Sequence, residues 1–425
     1  MSYKIEDLKE NIKVHLIQTS KFKTNLIAAF FSLPIDKENV TKNALIPAVL
    51  KRGSKSLKTQ EEINIELENM YGANLDAGID KIGDNQIIKF YIETVNDNFL
   101  PKKENLLEKS INLLLDIIFN PFVEDDKFKE QYVETEKQTI RRLIEGKIDN
   151  KDSYAFNRCI EEMYKDKAFG IYKYGYIEDL EKINAKELYE HYKNLINSSK
   201  IDIFISGDFE SNYILNIFNQ NKNLQGLEGR EDCHIINNEE TEKKEKIEDA
   251  ITLSESMNIN QGKLVMGIDI DYNKPDSKYA MCLYNVILGE SATSKLFQNV
   301  REKASLAYTA RSNYVRQKNN IFIRCGIEIE NYDEAVKIIK EQLEEMKNGE
   351  FTEEDIENSK KYMISGIKTV ADEQDSEMTY YFGQELSGKL TNFEEYIDKI
   401  NAVTKEQIQE IANSISINTI YFLRN

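Results

Sequence analysis

Few side chains in this 425-residue chain have the type and spacing for bond-making chemistry. Its three histidines are His15, His191 and His234. None has a partner at a metal-ligand spacing, such as four residues on along one helical face. His15 falls in the first strand pattern, where a structural role is expected. His191 lies in a helical pattern beside Tyr189 and Tyr192 and reads as a surface or half-buried residue. His234 sits in a polar stretch. The acidic clusters Glu124-Asp125-Asp126 and Glu353-Glu354-Asp355 read as charges at helix N-termini rather than as ligands. Taken alone, the spacing of Arg301 and Tyr308 in VREKASLAYTARS (300–312) carries almost no information, and a helix C-terminal charge and a packed strand residue are common roles for such residues. The segment ALIPAVLKRGSK (44–55) reads as a buried helix that stops at Gly53-Ser54, and its apolar part ALIPAVL (44–50) carries no group able to do chemistry.

The elements around these residues belong to a soluble, acidic protein. The chain is 40% hydrophobic and 31% charged, as globular proteins are, and it is long enough for two cores. A net charge of -18 argues against nucleic acid, which needs a basic surface, and against anionic lipid. The apolar run LIAAFFSLPI (26–35) is too short to span a membrane. The four cysteines (Cys159, Cys233, Cys282, Cys325) form no C-x-x-C pair and no disulfide framework. That points to a reducing compartment, and we expect a cytoplasmic protein.

Two pairs of segments repeat in the same order. DIIFNPFVEDDKFKEQ (116–131) parallels EMKNGEFTEEDIENSK (345–360), with strand patterns IIKFYIETV (87–95) and NIFIRCGIEIE (320–330) ahead of them. EDLEKINAKELYEHYKNL (178–195) followed by IDIFISGD (201–208) parallels EEYIDKINAVTKEQIQEI (394–411) followed by NTIYFLRN (418–425). Two ordered matches indicate a duplication. The polar stretch between them reads as a linker, giving domains at 1–220 and 249–425 joined by 221–248. Apolar runs KVHLIQT (13–19), NLIAAFFSL (25–33) and KLVMGIDID (263–271) read as strands, and TQEEINIELENMY (59–71) and YDEAVKIIKEQLEEMK (332–347) as helices. The expected class is α+β: two homologous layers, each a mainly antiparallel sheet with helices packed on one face.

The order of elements and several local signatures resemble the M16 peptidases, a family that includes pitrilysin-like and mitochondrial processing peptidases. The resemblance covers nearly the whole chain and implies their LuxS/MPP-like fold. Active members carry H-x-x-E-H on a helix that ends before a K-G-T-like turn, with a further glutamate in a segment like E-R-x-V-I-x-E-E-I. Here the turn is Lys51-Arg52-Gly53-Ser54, so the three motif positions fall on Ala44, Pro47 and Ala48. The second segment reads EKQTIRRLI (136–144), and the last ligand's place falls on Leu143. The resemblance therefore implies no metal site in this chain.

The second half keeps more. REKASLAY (301–308), after SATSKLFQN (291–299), resembles the family's R-E-x-x-x-L-A-Y segment. That likeness gives Arg301 and Tyr308 the role of holding a substrate carbonyl and stabilising its oxyanion. The residue types suit it: a charged fork of donors and one neutral donor on a rigid ring. ENMYGANLDAG (68–78) resembles the stretch before the edge strand that adds substrate peptide, which points to Ala73, Asn74 and Leu75 as substrate-binding residues, although Gly72 and Asn74 also suit a turn. The expectation is a zinc-less, substrate-binding subunit of a peptidase, inactive alone. It would work as a heterodimer with an H-x-x-E-H subunit that holds the zinc, with a weaker homodimer in the absence of that partner. The rival readings are an inactive scaffold or accessory protein, for example in a translation-factor modification pathway, and a standalone enzyme using some other chemistry.

Overall fold

The computed structural model describes residues 2–227, 235–236 and 249–425. Cys233, His234 and most of the linker expected at 221–248 lie outside the described residues. The chain begins β1 (Ser2–Lys9), β2 (Ile12–Gln18), β3 (Thr24–Pro34), α1 (Val40–Leu50), α2 (Gln60–Asn69), β4 (Asn74–Ile82), β5 (Asn85–Val95) and α3 (Leu106–Phe119). A small hairpin of β6 (Val123–Glu124) and β7 (Lys127–Phe128) leads into α4 (Glu130–Glu145) and α5 (Lys151–Met163). Then come α6 (Ile177–Lys182), α7 (Ala185–Ser198), β8 (Lys200–Gly207), α8 (Ser211–Gln220) and α9 (Lys222–Gln225). The second half runs β9 (Ile251–Ser256), β10 (Gly262–Ile270), α10 (Ser277–Asn285), two π-helical segments (Val286–Glu290 and Phe297–Lys303), β11 (Ala307–Val315) and β12 (Asn320–Ile327). It ends with α11 (Tyr332–Lys347), α12 (Glu353–Val370), α13 (Gln374–Leu386), α14 (Phe393–Asn401), α15 (Lys405–Asn413) and β13 (Ile415–Arg424).

The duplication is visible in the strand order. One sheet runs β1-β2-β8-β3-β5-β4; the other, read from its far edge, runs β9-β13-β10-β12-β11. Without β1, the two have the same order and the same sense. β2 pairs β8 in parallel as β9 pairs β13, and the other neighbours are antiparallel. β4 and β11 are thus equivalent edge strands. Five helices follow each of β5 and β12 in turn, so α5 corresponds to α13.

Two compact units divide the chain. One comprises Met1–Gly146, Ile171–Ile236 and Gln374–Leu386; the other comprises Lys147–Gly170, Asn237–Glu373 and Ser387–Asn425. Each sheet has its long helices on one face, and the equivalent helix of the other half of the sequence lies on the opposite face. In the first unit Ile27, Ala29 and Phe31 of β3 join the main core, while Phe30 turns the other way and stacks on Phe382 of α13 at 4.2 Å. In the second, Ala155 and Cys159 of α5 pack with Val265, Phe322 and Tyr421 of the sheet. A strand covered on both faces needs apolar residues at every position, which is why NLIAAFFSL reads as an unbroken apolar run.

One expectation is overturned. Glu124-Asp125-Asp126 does not start a helix: Asp125 (φ 51°) and Asp126 (φ 56°) form the turn of the β6–β7 hairpin. Aspartate tolerates this left-handed backbone better than most residues, and consecutive positive φ values suit a two-residue hairpin turn. The matching Glu353-Glu354-Asp355 does open α12, where Thr352 and Asp355 form a reciprocal cap.

Candidate functional site

The first unit carries the helix that would hold a metal. In α1, nine of eleven residues are buried, among them Ala44 and Pro47. Pro47 lacks an N–H, so α1 has no ladder bond from that position to the Asn43 carbonyl; burial around it holds the helix together. Arg52, just past the helix, donates Nε to Glu136 of α4 at 2.5 Å and Nη1 to Gln60 at 2.9 Å. Gly53 lies against the Lys58 carbonyl, where a Cβ would collide with backbone. On α4, Glu136, Ile140 and Leu143 share one face by their spacing; the first two are buried and Leu143 is 44% exposed.

No ligand atom is offered at these positions. Methyl groups, a pyrrolidine ring and an isobutyl group cannot coordinate zinc, and proline cannot serve as a base. The two described histidines have other commitments. His191 Nε2 lies 2.6 Å from Asn43 Oδ1, and Asn43 in turn donates to Gln86. Burial, with help from nearby Lys42, lowers the His191 pKa to about 4 and keeps the ring neutral. His15 is fully buried between Asp202 (2.9 Å) and the Tyr3 hydroxyl (2.8 Å) and stacks on Phe204. Among the described residues no group of three or more His, Cys, Asp or Glu side chains could hold a metal. The residues present do not fit a zinc ion.

β4 runs beside α1 at the outer edge of the first sheet, with Lys51 Nζ 3.2 Å from Asp76. Tyr71 and Gly72 take positive φ (61° and 74°) to turn the chain from α2 into it. Gly72 is therefore a turn residue. Asn74 is exposed at the start of the strand, whereas Ala73 and Leu75 lean on the core.

The second unit carries Arg301 and Tyr308. Arg301 sits in the π-helical segment Phe297–Lys303, with its guanidinium 4.5 Å from the Phe297 ring centre and Nε 3.6 Å from Glu302. π-Helical turns are uncommon and occur often at functional sites. Tyr308 lies on edge strand β11 and is 62% exposed, so it is not a packed strand residue. Its hydroxyl donates to Glu328 at 2.8 Å, and that bond raises its pKa. The backbone ties the two regions through Leu306 N–H to the Val300 carbonyl. Both candidates thus present donors to solvent from one stretch of chain, and each has a local partner. Cys159, Cys282 and Cys325 are free thiols, with burial pushing Cys282 up to about 11.

A duplicated α/β layer protein with a helix in the zinc position, and no ligands on it, is a metallopeptidase scaffold without its metal chemistry. Comparison with known proteins agrees. Residues 182–363 match the family model described as the peptidase M16 inactive domain. The "Probable inactive metalloprotease YmfF" of Bacillus subtilis (strain 168) is 34% identical over 428 residues, spanning 100% of this chain and 99% of that protein. The "Uncharacterized zinc protease YmxG" of the same organism is 23% identical over 316 residues, 73% of this chain and 74% of its own length. A crystal structure of a conserved protein from Enterococcus faecalis V583 superposes over 100% of this chain and 98% of its own, with a TM-score of 0.89 and 24% identity. The chain belongs to the M16 peptidase family, and its 34% identical relative is named as an inactive member of the metalloproteases. Among the described residues no helix is long and apolar enough to cross a membrane.

Proposed function

We propose that this chain is the zinc-less, substrate-binding subunit of a heterodimeric M16 peptidase that acts on peptides. The observation that carries the reading is an asymmetry. Every metal position of the first unit is a hydrocarbon side chain, while the second unit keeps Arg301 and Tyr308 exposed on the segment that resembles the family's carbonyl-binding pair. In that role Tyr308 would exchange Glu328 for a substrate carbonyl, and Arg301 would add a permanent charge beside it. Asn74, with Ala73 and Leu75, would let a peptide add to the free edge of β4 through main-chain hydrogen bonds. The zinc and its base would come from an H-x-x-E-H partner; a weaker homodimer would form without it. That one bacterium holds relatives named as an inactive metalloprotease and as a zinc protease supports such a division. The free thiols fit a cytoplasmic setting.

The test is reconstitution. The chain is mixed with an H-x-x-E-H M16 subunit from its own genome and assayed on a quenched fluorescent peptide library. Cleavage by the mixture, and not by this chain alone, supports the reading. Unchanged elution volumes and unchanged activity overturn it. They would favour an inactive scaffold or accessory protein, a second reading that the existing Tyr308–Glu328 bond allows.

A further inference from the structure

The second unit has a cluster of cations that its own carboxylates do not balance. In the register of its sheet, Arg311 of β11 pairs directly with Arg324 of β12, and Arg324 with Val265 of β10. One row along, Thr309 and Lys263 flank Gly326, so Lys263, Thr309 and both arginines share one face. Like charges directly opposite each other in a sheet repel. Asp152, in the first turn of α5, is shared between them: it accepts from Arg311 at 2.9 Å and also from Arg324. Lys263 donates to the neutral amide of Gln261, and no described carboxylate lies within ion-pair distance of its ammonium. Burial lowers the pKa of both Lys263 and Arg324 despite Asp152, as expected of cations short of counter-charge.

Lys263, Gln261 and Asp152 belong to the wall of an open cleft of about 770 Å³, lined by residues 149–152 and by Ile259, Asn260, Gln261 and Lys263; Arg311 and Arg324 are tied to that wall through Asp152. Its other charged groups are Asp149 and Lys151, whose ammonium donates to the Ile148 carbonyl at 2.7 Å. Within the lining the charges balance, and the excess lies on the sheet face beside it, where Lys263, Arg311 and Arg324 have one nearby carboxylate, Asp152, on a chain of net charge -18. Gly326 keeps the floor low: a Cβ there would come within 2.8 Å of Gln261 and 3.1 Å of Thr309. Arg311 is half exposed and turns part of its donor fork to solvent.

We infer that the mouth of this cleft and the sheet face beside it form a carboxylate-binding subsite, in which Lys263 and Arg311 take up an acidic group of a bound peptide. The inference rests on the proposed peptide-binding function and adds a specificity to it. Aspartate and glutamate side chains and a C-terminal carboxylate share the chemistry that two charged donors on one face recognise.

Fluorescence anisotropy of the full-length chain with three dye-labelled peptides tests it. One has a central Glu-Glu and a C-terminal amide, one is its Gln-Gln twin, and one has Gln-Gln with a free C-terminus. Tighter binding of the Glu-Glu peptide, by about tenfold or more at low salt, marks side chains as the ligand. The same gain from the free C-terminus alone marks the terminal carboxylate. Either gain should shrink with added NaCl, should be mostly lost in Lys263→Met and Arg311→Gln, and should be kept in Lys263→Arg. Affinity for the neutral amide should be the same in all variants, which shows that they are folded. Equal binding of all three peptides overturns the subsite and leaves peptide binding standing. Binding of none of them overturns the peptide-binding reading as well.

Discussion

Glu377 and Glu385 lie two turns apart on α13, and their surroundings push them in opposite directions. Glu377 is fully buried, and neither of its oxygens has a hydrogen-bond partner among the described residues. Burial raises its pKa to about 7, and Lys21 offsets this only in part. Glu385 accepts from Lys13 at 2.6 Å and from Lys200 at 2.8 Å. Burial alone would raise its pKa, but the two ammonium groups outweigh it and hold the carboxyl down at about 2. One helix therefore carries both an anchor and a liability on the first sheet.

Glu377 should make the protein less stable as pH rises. Its folded pKa exceeds the ordinary value of 4.5, so the unfolded chain ionises first. Stability is full below about 4.5, falls as pH climbs to about 7, and is then constant; the loss is on the order of 3 kcal/mol. Glu377→Gln should raise the melting temperature by several degrees at pH 8 and leave it nearly unchanged at pH 4. Thermal melts of both proteins across that range check this, and parallel curves would rule it out.

Glu385 should act with the opposite sign. Its folded pKa is depressed, so its contribution is present above about 4.5 and is lost as pH falls toward 2. Glu385→Gln leaves Lys13 and Lys200 close together without their shared anion. We expect a loss of about 3–5 kcal/mol at pH 7, read by urea unfolding, and little difference near pH 2.

How much of this was legible in the sequence depended on the range of the interaction. Strands such as β3 and β10 and helices such as α2 announce themselves through local periodicity, and the duplication through ordered repeats. β1 does not, because SYKIEDLK is half exposed and charged and has no clean alternation. The placing of α5 and α13 was also hidden. An amphipathic pattern says that a stripe is buried, not which sheet buries it. The cation cluster was out of reach for a related reason: Lys263, Arg311, Arg324 and Asp152 meet through strand register and a helix from the other half. By contrast, the loss at Ala44, Pro47 and Ala48 could be read directly, since the absence of donor atoms is a property of residue type.

That loss gives a prediction about metal. After dialysis against a weak chelator, the purified chain should hold well under one zinc by atomic emission. The four-fold variant Ala44→His, Pro47→Glu, Ala48→His, Leu143→Glu should gain zinc if α1 and α4 still hold those positions in register. One tightly bound zinc in the unaltered chain would contradict the reading of the first unit.

The last prediction separates the two functional readings at Tyr308 and Arg301. Both side chains are exposed, so truncating them should change stability by only about 0.5 kcal/mol. If they bind a carbonyl that becomes an oxyanion, their contacts matter most in the transition state. Tyr308→Phe removes one donor and almost no volume, and should lower turnover of the reconstituted pair about 10²–10³-fold. Arg301→Ala removes a charge as well, and should also weaken substrate binding. Glu328→Gln is the control. It weakens the partner that now holds the Tyr308 hydroxyl, so turnover should be kept or raised while the hydroxyl itself remains. Wild-type turnover in Tyr308→Phe, together with a lowered melting temperature, would show that the Tyr308–Glu328 bond is structural and would favour the inactive scaffold.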